Sequence, residues 1–454
     1  MKNILLLGAG RSASSLIAYL LQHAPSENWH IRIGDIVVTH LHSLVDDLSF
    51  AEALVFDVHN DEQRETEVKR ADLVISLLPA VFHIEVAREC LKQEKHLITA
   101  SYVTPAFLEL HTEAQEKNLT ILMESGLDPG IDHMSAMAAI QHIKAKGGKL
   151  TSFKSYCGGL VAPESDTNPW NYKFTWNPRN VVLAGQGTAK YIKNGEYKYI
   201  PYHQLFKRTD QLSVEGHGNF EGYANRDSLS YREPYNLLDI PTMLRGTLRK
   251  PGYCAAWNVF VQLGLTDDSY TLEGSENMTY RSYLEAFLPP AVTGETIERR
   301  IANYLTIDEH GEIMQKLAWL DLFTDEPVEL AGATPAQVLE KILKEKWQLA
   351  PGNKDMIVMQ HLFEYELAGK KHELTSSLVV KGDDEVHTAM AKTVGLPVAI
   401  LAKLLLQGKI KHCGVVIPIH PELYEPVLEE LKSYGVNFVE KDRVLSYNKN
   451  MPPV

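Results

Sequence analysis

Cysteine is scarce in this chain. Cys90, Cys157, Cys254 and Cys413 are the only ones among 454 residues, and no two form a CxxC pair. That excludes a disulfide framework and a zinc-finger spacing, and it fits a reducing compartment. Basic charge is in deficit as well. Lys and Arg number 45 against 58 Asp and Glu, a formal net charge of -13. Such a balance offers no general attraction to nucleic acid or anionic lipid, so an anionic ligand must be held by a few specific cations. No apolar run approaches the roughly 18 residues expected of a membrane span. The opening Ile4-Leu5-Leu6-Leu7 turns at once into Gly8-Ala9-Gly10, too soon for the core of a signal peptide. A cytoplasmic protein with neither a membrane nor a nucleic-acid partner is expected. Two catalytic signatures are also missing. The histidines, among them His40, His42, His217, His361 and His372, show no HExxH or other tight ligand spacing, so no metal is expected. Ser125 lacks the GxSxG setting of a hydrolase nucleophile.

What is present is an ordinary soluble composition, 44% hydrophobic and 23% charged, in a chain long enough for about two to four domains. Its first part alternates short continuous apolar runs with helical stretches. Strands are predicted at Ile4–Leu7, Ile31–Ile33, Leu54–Phe56, Leu73–Leu77, Leu97–Thr99 and Ile121–Met123. Helices are predicted at Ala13–Gln22, His83–Leu91 and Pro105–Glu116. Such alternation defines an α/β class with a doubly wound parallel sheet. Gly126-Leu127-Asp128-Pro129-Gly130 then opens a further helix, with Asp128 suited to the cap and Pro129 to the first turn. Residues from about 150 to 250 are rich in aromatics, Gly, Pro and Asn, and 280 to 348 read as helical. A hairpin about Ala368-Gly369-Lys370, a long apolar helix near Glu385–Leu406 and a strand–helix–strand tail complete the chain.

The turn after the first strand, Gly8-Ala9-Gly10-Arg11-Ser12-Ala13, is a GxGxxA pattern lying directly between a strand and a helix. Its glycines permit a tight turn and a close approach of backbone to a pyrophosphate, and the small third residue lets helix and strand pack. Asp35 ends the second strand 22 residues beyond Ala13, near the spacing of the acid that binds the adenosine ribose. A carboxylate there repels a 2′-phosphate, so of NAD and NADP the first is favoured. Arg11 and Arg32 remain alternative hosts for a phosphate. Asp57, Leu77 and Leu78, at the ends of the third and fourth strands, are placed to flank the nucleotide.

A series of stretches is more specific than the glycine turn. In order they are Ala100-Ser101-Tyr102, Gly126 to His133, Ser155-Tyr156-Cys157-Gly158-Gly159, Tyr172-Lys173-Phe174-Thr175-Trp176, Asn225-Arg226-Asp227-Ser228 and Arg245-Gly246-Thr247-Leu248-Arg249. Ala318 to Phe323 and Met390 to Ile400 support them. Together they resemble the glutamate-forming saccharopine dehydrogenases over nearly the whole chain. The resemblance implies a nicotinamide cofactor and the interconversion of saccharopine with glutamate and 2-aminoadipate 6-semialdehyde. It implies a Rossmann domain, a mixed α/β substrate domain with a helical insertion, and an active site between the first two domains. Expected bounds are 1–128 for the dinucleotide domain, with about 385–454 returning toward it, 129–260 with 350–384 for the substrate domain, and 261–349 for the insertion.

By the same resemblance Ser101, Tyr102, Asp128, Asn225, Arg226, Arg245 and Thr247 contact the substrate. Cys157 joins Tyr102 and Asp128 as a catalytic candidate, and Ser101, Leu127 and Asp128 also lie beside the cofactor. The sequence departs from fungal members at the end of strand two, where Asp35-Ile36 stands in place of a Cys-Arg pair suited to NADPH. The chemistry agrees with this assignment, because a substrate with three carboxylates needs guanidinium forks and Arg226, Arg245 and Arg249 are candidates. Two rivals are a related imine reductase, such as one forming carboxynorspermidine, and a non-catalytic dinucleotide sensor. A diamine would want carboxylates where the arginines stand. A homodimer is expected only from the general frequency of twofold assemblies.

Overall fold

Residues 1–39 and 49–445 are described in a computed structural model; His40 and His42 lie outside them. The chain divides into two compact units. One is Met1–Lys149 with Leu378–Val439, the other Leu150–Ser377 with Glu440–Val454.

In the first unit the apolar runs become β1 (Lys2–Leu7), β2 (Trp29–Asp35), β3 (Ala51–Val55), β4 (Leu73–Ser76), β5 (His96–Thr99) and β6 (Thr120–Leu122). All pair in parallel, and the order across the sheet is β3-β2-β1-β4-β5-β6, extended beyond β6 by the strand Gly414–Val416. This is the doubly wound dinucleotide-binding order, whose ligand crevice opens at the carboxyl ends of β1 and β4 where the winding reverses.

The helix Ser14–Glu27 follows β1 and packs against the helix Ala389–Leu406. Gly395 permits that approach, because a Cβ there would lie 2.8 Å from the Leu16 backbone nitrogen. Ala389–Leu406 is the long apolar helix expected near Glu385–Leu406. By length and composition it could cross a membrane, with a mean hydropathy of 1.7. Its 18 residues are 78% buried inside the protein, and Lys403 donates to both oxygens of Glu430 at 2.5 and 2.7 Å. Lys392 and Lys403 interrupt its apolar run.

The second unit is built on a nine-stranded mixed sheet. Its strands are β7 (Lys149–Val161), β8 (Ala189–Lys193), β9 (Glu196–Ile200), β10 (Thr209–Val214), β11 (Gly218–Ala224), β12 (Thr242–Arg249), β13 (Asp355–Leu367) and β14 (Lys370–Lys381), with the strand Phe438–Val444 at one edge. The order is β10-β11-β12-β7-β13-β14 and then Phe438–Val444, with β8 and β9 branching from β12. The β13–β14 hairpin turns through Ala368 and Gly369, both at positive φ, as a two-residue turn of matching twist requires. Helices Tyr280–Glu285, Ile297–Leu305, Glu312–Trp319 and Pro335–Lys346 form the insertion; Thr279, Thr296 and Thr334 cap three of them. Trp170, Tyr253, Trp257 and Trp347 pack ring to ring in this unit's core.

Candidate active site

Past the end of β1 the chain turns back at Gly8, whose φ is +91°. A Cβ on Gly8 would lie 2.9 Å from the Leu77 carbonyl carbon and oxygen, so glycine alone fits. The Gly8 N–H donates to Gly34 O and the Leu77 N–H to Leu7 O, each at 2.8 Å, which ties β1, β2 and β4 together beyond their carboxyl ends. Gly10 is the reverse case. It is exposed, and a Cβ there would meet nothing within 4 Å. Space above the backbone is therefore open where a pyrophosphate would approach.

Asp35 stands at the rim of this cradle. Its Oδ2 accepts the Ala9 N–H at 2.7 Å and its Oδ1 the Val37 N–H at 3.2 Å, so the glycine turn itself orients the carboxylate. Arg11 is exposed and Ser12 half-buried, while Ala13 is buried where the helix meets the sheet. Leu77 and Leu78 are half-buried, and Asp57 is exposed with Oδ1 accepting the His59 N–H. Arg32 does not host a phosphate. It is buried, and its guanidinium pairs with Glu52 and Glu67. The remaining residues fit a dinucleotide, with the cradle for its phosphates and Asp35 for a ribose.

A second group lies in the same unit. The Tyr102 hydroxyl donates to Asp128 Oδ1 at 3.0 Å, joining the segment after β5 to the loop before the helix Ile131–Ala145. Of the two readings of Asp128, helix cap and site residue, the cap does not hold. The helix begins at Ile131 after Gly130, and Asp132 Oδ1 accepts the Gly130 N–H at 2.6 Å. Asp128 is half-buried. Ser101, also half-buried, accepts the Glu124 N–H at 3.0 Å through its carbonyl, and Leu127 is buried.

Beneath these loops sit polar residues that the sequence reading passed over. Glu124, at φ +54°, accepts the Val103 N–H through Oε1 at 2.9 Å and the His133 Nε2–H through Oε2 at 2.6 Å. His83 lies between Ser76 Oγ at 2.8 Å and Thr99 Oγ1 at 3.3 Å, and burial pushes its pKa down to about 4. Thr99 Oγ1 in turn accepts the Ser101 N–H at 3.3 Å. No spacing marks these residues, because they lie on different elements.

The second unit gathers the other candidates about β12. Arg245 and Thr247 alternate onto one face, and the parallel register sets Thr247 beside the buried Cys157 of β7. The loop after β11 clasps the Arg245 backbone from both sides. Asn225 N–H donates to Arg245 O at 2.8 Å, and Ser228 Oγ accepts the Arg245 N–H at 2.9 Å. That loop carries exposed Arg226 at φ +43°. The Arg245 guanidinium lies 4.3 Å from the Tyr231 ring centroid, a stacking partner the sequence did not reveal. Arg249 leaves the set of candidate carboxylate forks. It is 3% exposed, enclosed by the rings of Tyr172, Tyr223 and Tyr253, and donates to Leu248 O.

Among the described residues no group of three or more His, Cys, Asp and Glu could hold a metal ion. His361 bonds Ser155 Oγ through Nδ1 at 3.0 Å, and His372 faces Asp442.

A glycine turn with open space above its backbone, at the carboxyl end of β1 in a doubly wound parallel sheet, defines the class as a dinucleotide-binding oxidoreductase. More narrowly, the chain belongs to the saccharopine dehydrogenase family. Residues 4–122 match the saccharopine dehydrogenase NADP binding domain, and residues 126–436 match the saccharopine dehydrogenase C-terminal domain. A saccharopine dehydrogenase (NADP(+), L-glutamate-forming) of Pyricularia oryzae is 35% identical over 85% of this chain and 87% of its own. The mitochondrial alpha-aminoadipic semialdehyde synthase of Bos taurus is 35% identical over 98% of this chain, which spans only 48% of that longer protein. Apo histidine-tagged saccharopine dehydrogenase (L-Glu forming) from Saccharomyces cerevisiae superposes with a TM-score of 0.86 at 34% identity, covering 98% of this chain and 100% of that one.

Proposed function

We propose that the chain is a glutamate-forming saccharopine dehydrogenase, interconverting saccharopine with L-glutamate and 2-aminoadipate 6-semialdehyde. Full-length similarity to enzymes of that name supports this, and the hydrogen-bonded Tyr102–Asp128 pair is the observation that carries it. Bound nicotinamide supplies or accepts the hydride at the carbon of the carbon–nitrogen bond. The chain's own groups do the rest. Arg226 and Arg245 hold substrate carboxylates, since a guanidinium fork matches a carboxylate in two hydrogen bonds. The Asp128 carboxylate supports positive charge at the substrate nitrogen. The Tyr102 hydroxyl, whose proton Asp128 orients, moves a proton at that nitrogen or at the departing water. Asn225 and Thr247 add neutral hydrogen bonds, Ser101 and Leu127 line the nicotinamide end, and Cys157 contributes a small wall.

Asp35 favours NAD over NADP. A carboxylate accepts hydrogen bonds from ribose hydroxyls and repels a 2′-phosphate; the guanidinium nearest in sequence, Arg32, is engaged by Glu52 and Glu67. Initial rates with saccharopine, read by absorbance of the reduced nicotinamide with NAD and with NADP, test both parts. Turnover with saccharopine and none with carboxynorspermidine is expected. The reverse outcome overturns the substrate, and a preference for NADP overturns the cofactor reading.

A further inference from the structure

Glu124, Asp132 and His133 are ionisable groups with no role in the chemistry just described, yet they are almost wholly buried, at 3%, 2% and 0% exposure. Buried charge is costly, and hydrophobic residues of similar volume would serve packing as well or better. What these groups touch suggests another use. The Glu124 carboxylate is a bridge: Oε1 takes the Val103 N–H at 2.9 Å and Oε2 the His133 Nε2–H at 2.6 Å. Val103 directly follows Tyr102. On the far side of the imidazole, His133 Nδ1 lies 3.8 Å from Asp132 Oδ2, and Asp132 Oδ1 takes the Gly130 N–H at 2.6 Å. Gly130 closes the loop that carries Asp128, and the Gly126 N–H donates to Pro129 O at 3.0 Å within it. One buried imidazole thus bonds the carboxylate that holds the backbone behind Tyr102 and lies 3.8 Å from the carboxylate that holds the backbone behind Asp128.

We propose that Glu124, His133 and Asp132 are positioning residues that set the separation of the Tyr102 hydroxyl from the Asp128 carboxylate. Two further observations favour a device over ordinary packing. Glu124 occupies the left-handed region at φ +54°, a backbone that a side chain with a Cβ rarely adopts, and the Ser101 carbonyl accepts its N–H at 3.0 Å. Both carboxylates also spend an oxygen on a backbone N–H of a loop, so moving either one moves the loop. A side-chain displacement of about 1 Å can cost on the order of a hundredfold in rate.

The inference rests on the proposed activity only for its rate consequence, so the test has a second readout. His133→Phe, Glu124→Gln and the donor-preserving His133→Gln are compared with the parent protein. Amide hydrogen exchange is followed over Ser101–Thr104 and Gly126–Ile131 without cofactor, and kcat and KM are measured with saccharopine. In His133→Phe, exchange in both segments should rise about tenfold, with kcat falling about 10- to 100-fold and KM for the dinucleotide moving less than about threefold. His133→Gln should recover most of both changes. Glu124→Gln should loosen Ser101–Thr104 more than Gly126–Ile131, and it stands in if His133→Phe does not fold. Unaltered exchange in folded variants, or a kcat loss matched by an equal rise in KM, overturns the proposal. Looser loops in the variants of a parent protein that does not turn over saccharopine would uphold the positioning role and refute the activity.

Discussion

The Tyr102 hydroxyl donates to Asp128 Oδ1 at 3.0 Å across 26 residues of sequence. The bond leaves the phenol proton directed and the carboxylate anchored, so the two act as a unit. Tyr102→Phe and Asp128→Asn should each lower kcat by about 10²- to 10³-fold, the scale of one acid–base contribution. KM for the dinucleotide should change little. The double variant should be hardly worse than either single one, because coupled groups are not additive. Steady-state kinetics on the four proteins checks this; fully additive losses would separate the two roles.

Gly8 and Gly10 make opposite demands. Gly8→Ala places a Cβ at positive φ, 2.9 Å from the Leu77 backbone, and should cost about 1–3 kcal/mol of stability. Gly10→Ala meets no protein atom within 4 Å and should leave stability within about 0.5 kcal/mol. It should nevertheless weaken dinucleotide binding about tenfold, the open space being the ligand's. Denaturant unfolding and fluorescence titration with NADH would separate the two effects.

Asp35→Ala should raise the ratio of kcat/KM for NADP to that for NAD by about tenfold, equivalent to about 1.4 kcal/mol of lost discrimination. The bond from the Ala9 N–H to Asp35 is lost in the same variant, so affinity for NAD should fall too. An unchanged ratio would mean that Asp35 only orders the turn.

Arg245→Lys tests whether the fork matters. Lysine keeps the charge but loses the planar pair of donors and the stacking on Tyr231. A fall of about 30-fold or more in kcat/KM for saccharopine is expected, with NAD binding unaffected. Arg249→Lys, in its tyrosine enclosure, should instead act mainly on stability, as thermal unfolding would report.

How much of this was legible beforehand differs by element. β1, β4 and β5 are continuous apolar runs bounded by turns, so the sequence alone predicts them. The helix Asp61–Lys69 was invisible for the opposite reason. It is polar but for Val68, buries only Glu67 and Val68, and is held by the Asn60 cap. Pro105–Glu116 reads as one helix but divides into Pro105–Leu108 and His111–Glu116. At the site, the glycine turn and Asp35 are local patterns and were readable. Asp128 was ambiguous, because Asp-Pro-Gly before a helix suits a cap equally well; the deciding partner, Tyr102, is distant in sequence. Arg245 and Arg249 share a strand and a face, so spacing treats them alike. Tyr172 and Tyr253, from other parts of the chain, enclose only the second.

Acid stability should follow His83. Burial holds its imidazole at about 4 against 6.5 when free, so the unfolded chain takes up a proton that the folded chain refuses. Stability from this residue is whole above pH 6.5 and declines as pH falls toward 4, by about 3 kcal/mol in all. His83→Asn should be less stable at neutral pH, losing bonds to Ser76 or Thr99, yet show a shallower decline between these limits. Urea unfolding of both proteins across that range checks the slope.

The most direct measurement of the central claim is mass-spectrometric identification of the products formed from saccharopine with oxidised nicotinamide. L-Glutamate and 2-aminoadipate 6-semialdehyde (or its cyclised form) in equal amounts, one pair per reduced nicotinamide, is the expected result. Lysine with 2-oxoglutarate would place the cleavage on the other side of the nitrogen, and no turnover at all would leave a dinucleotide binder; either contradicts the account.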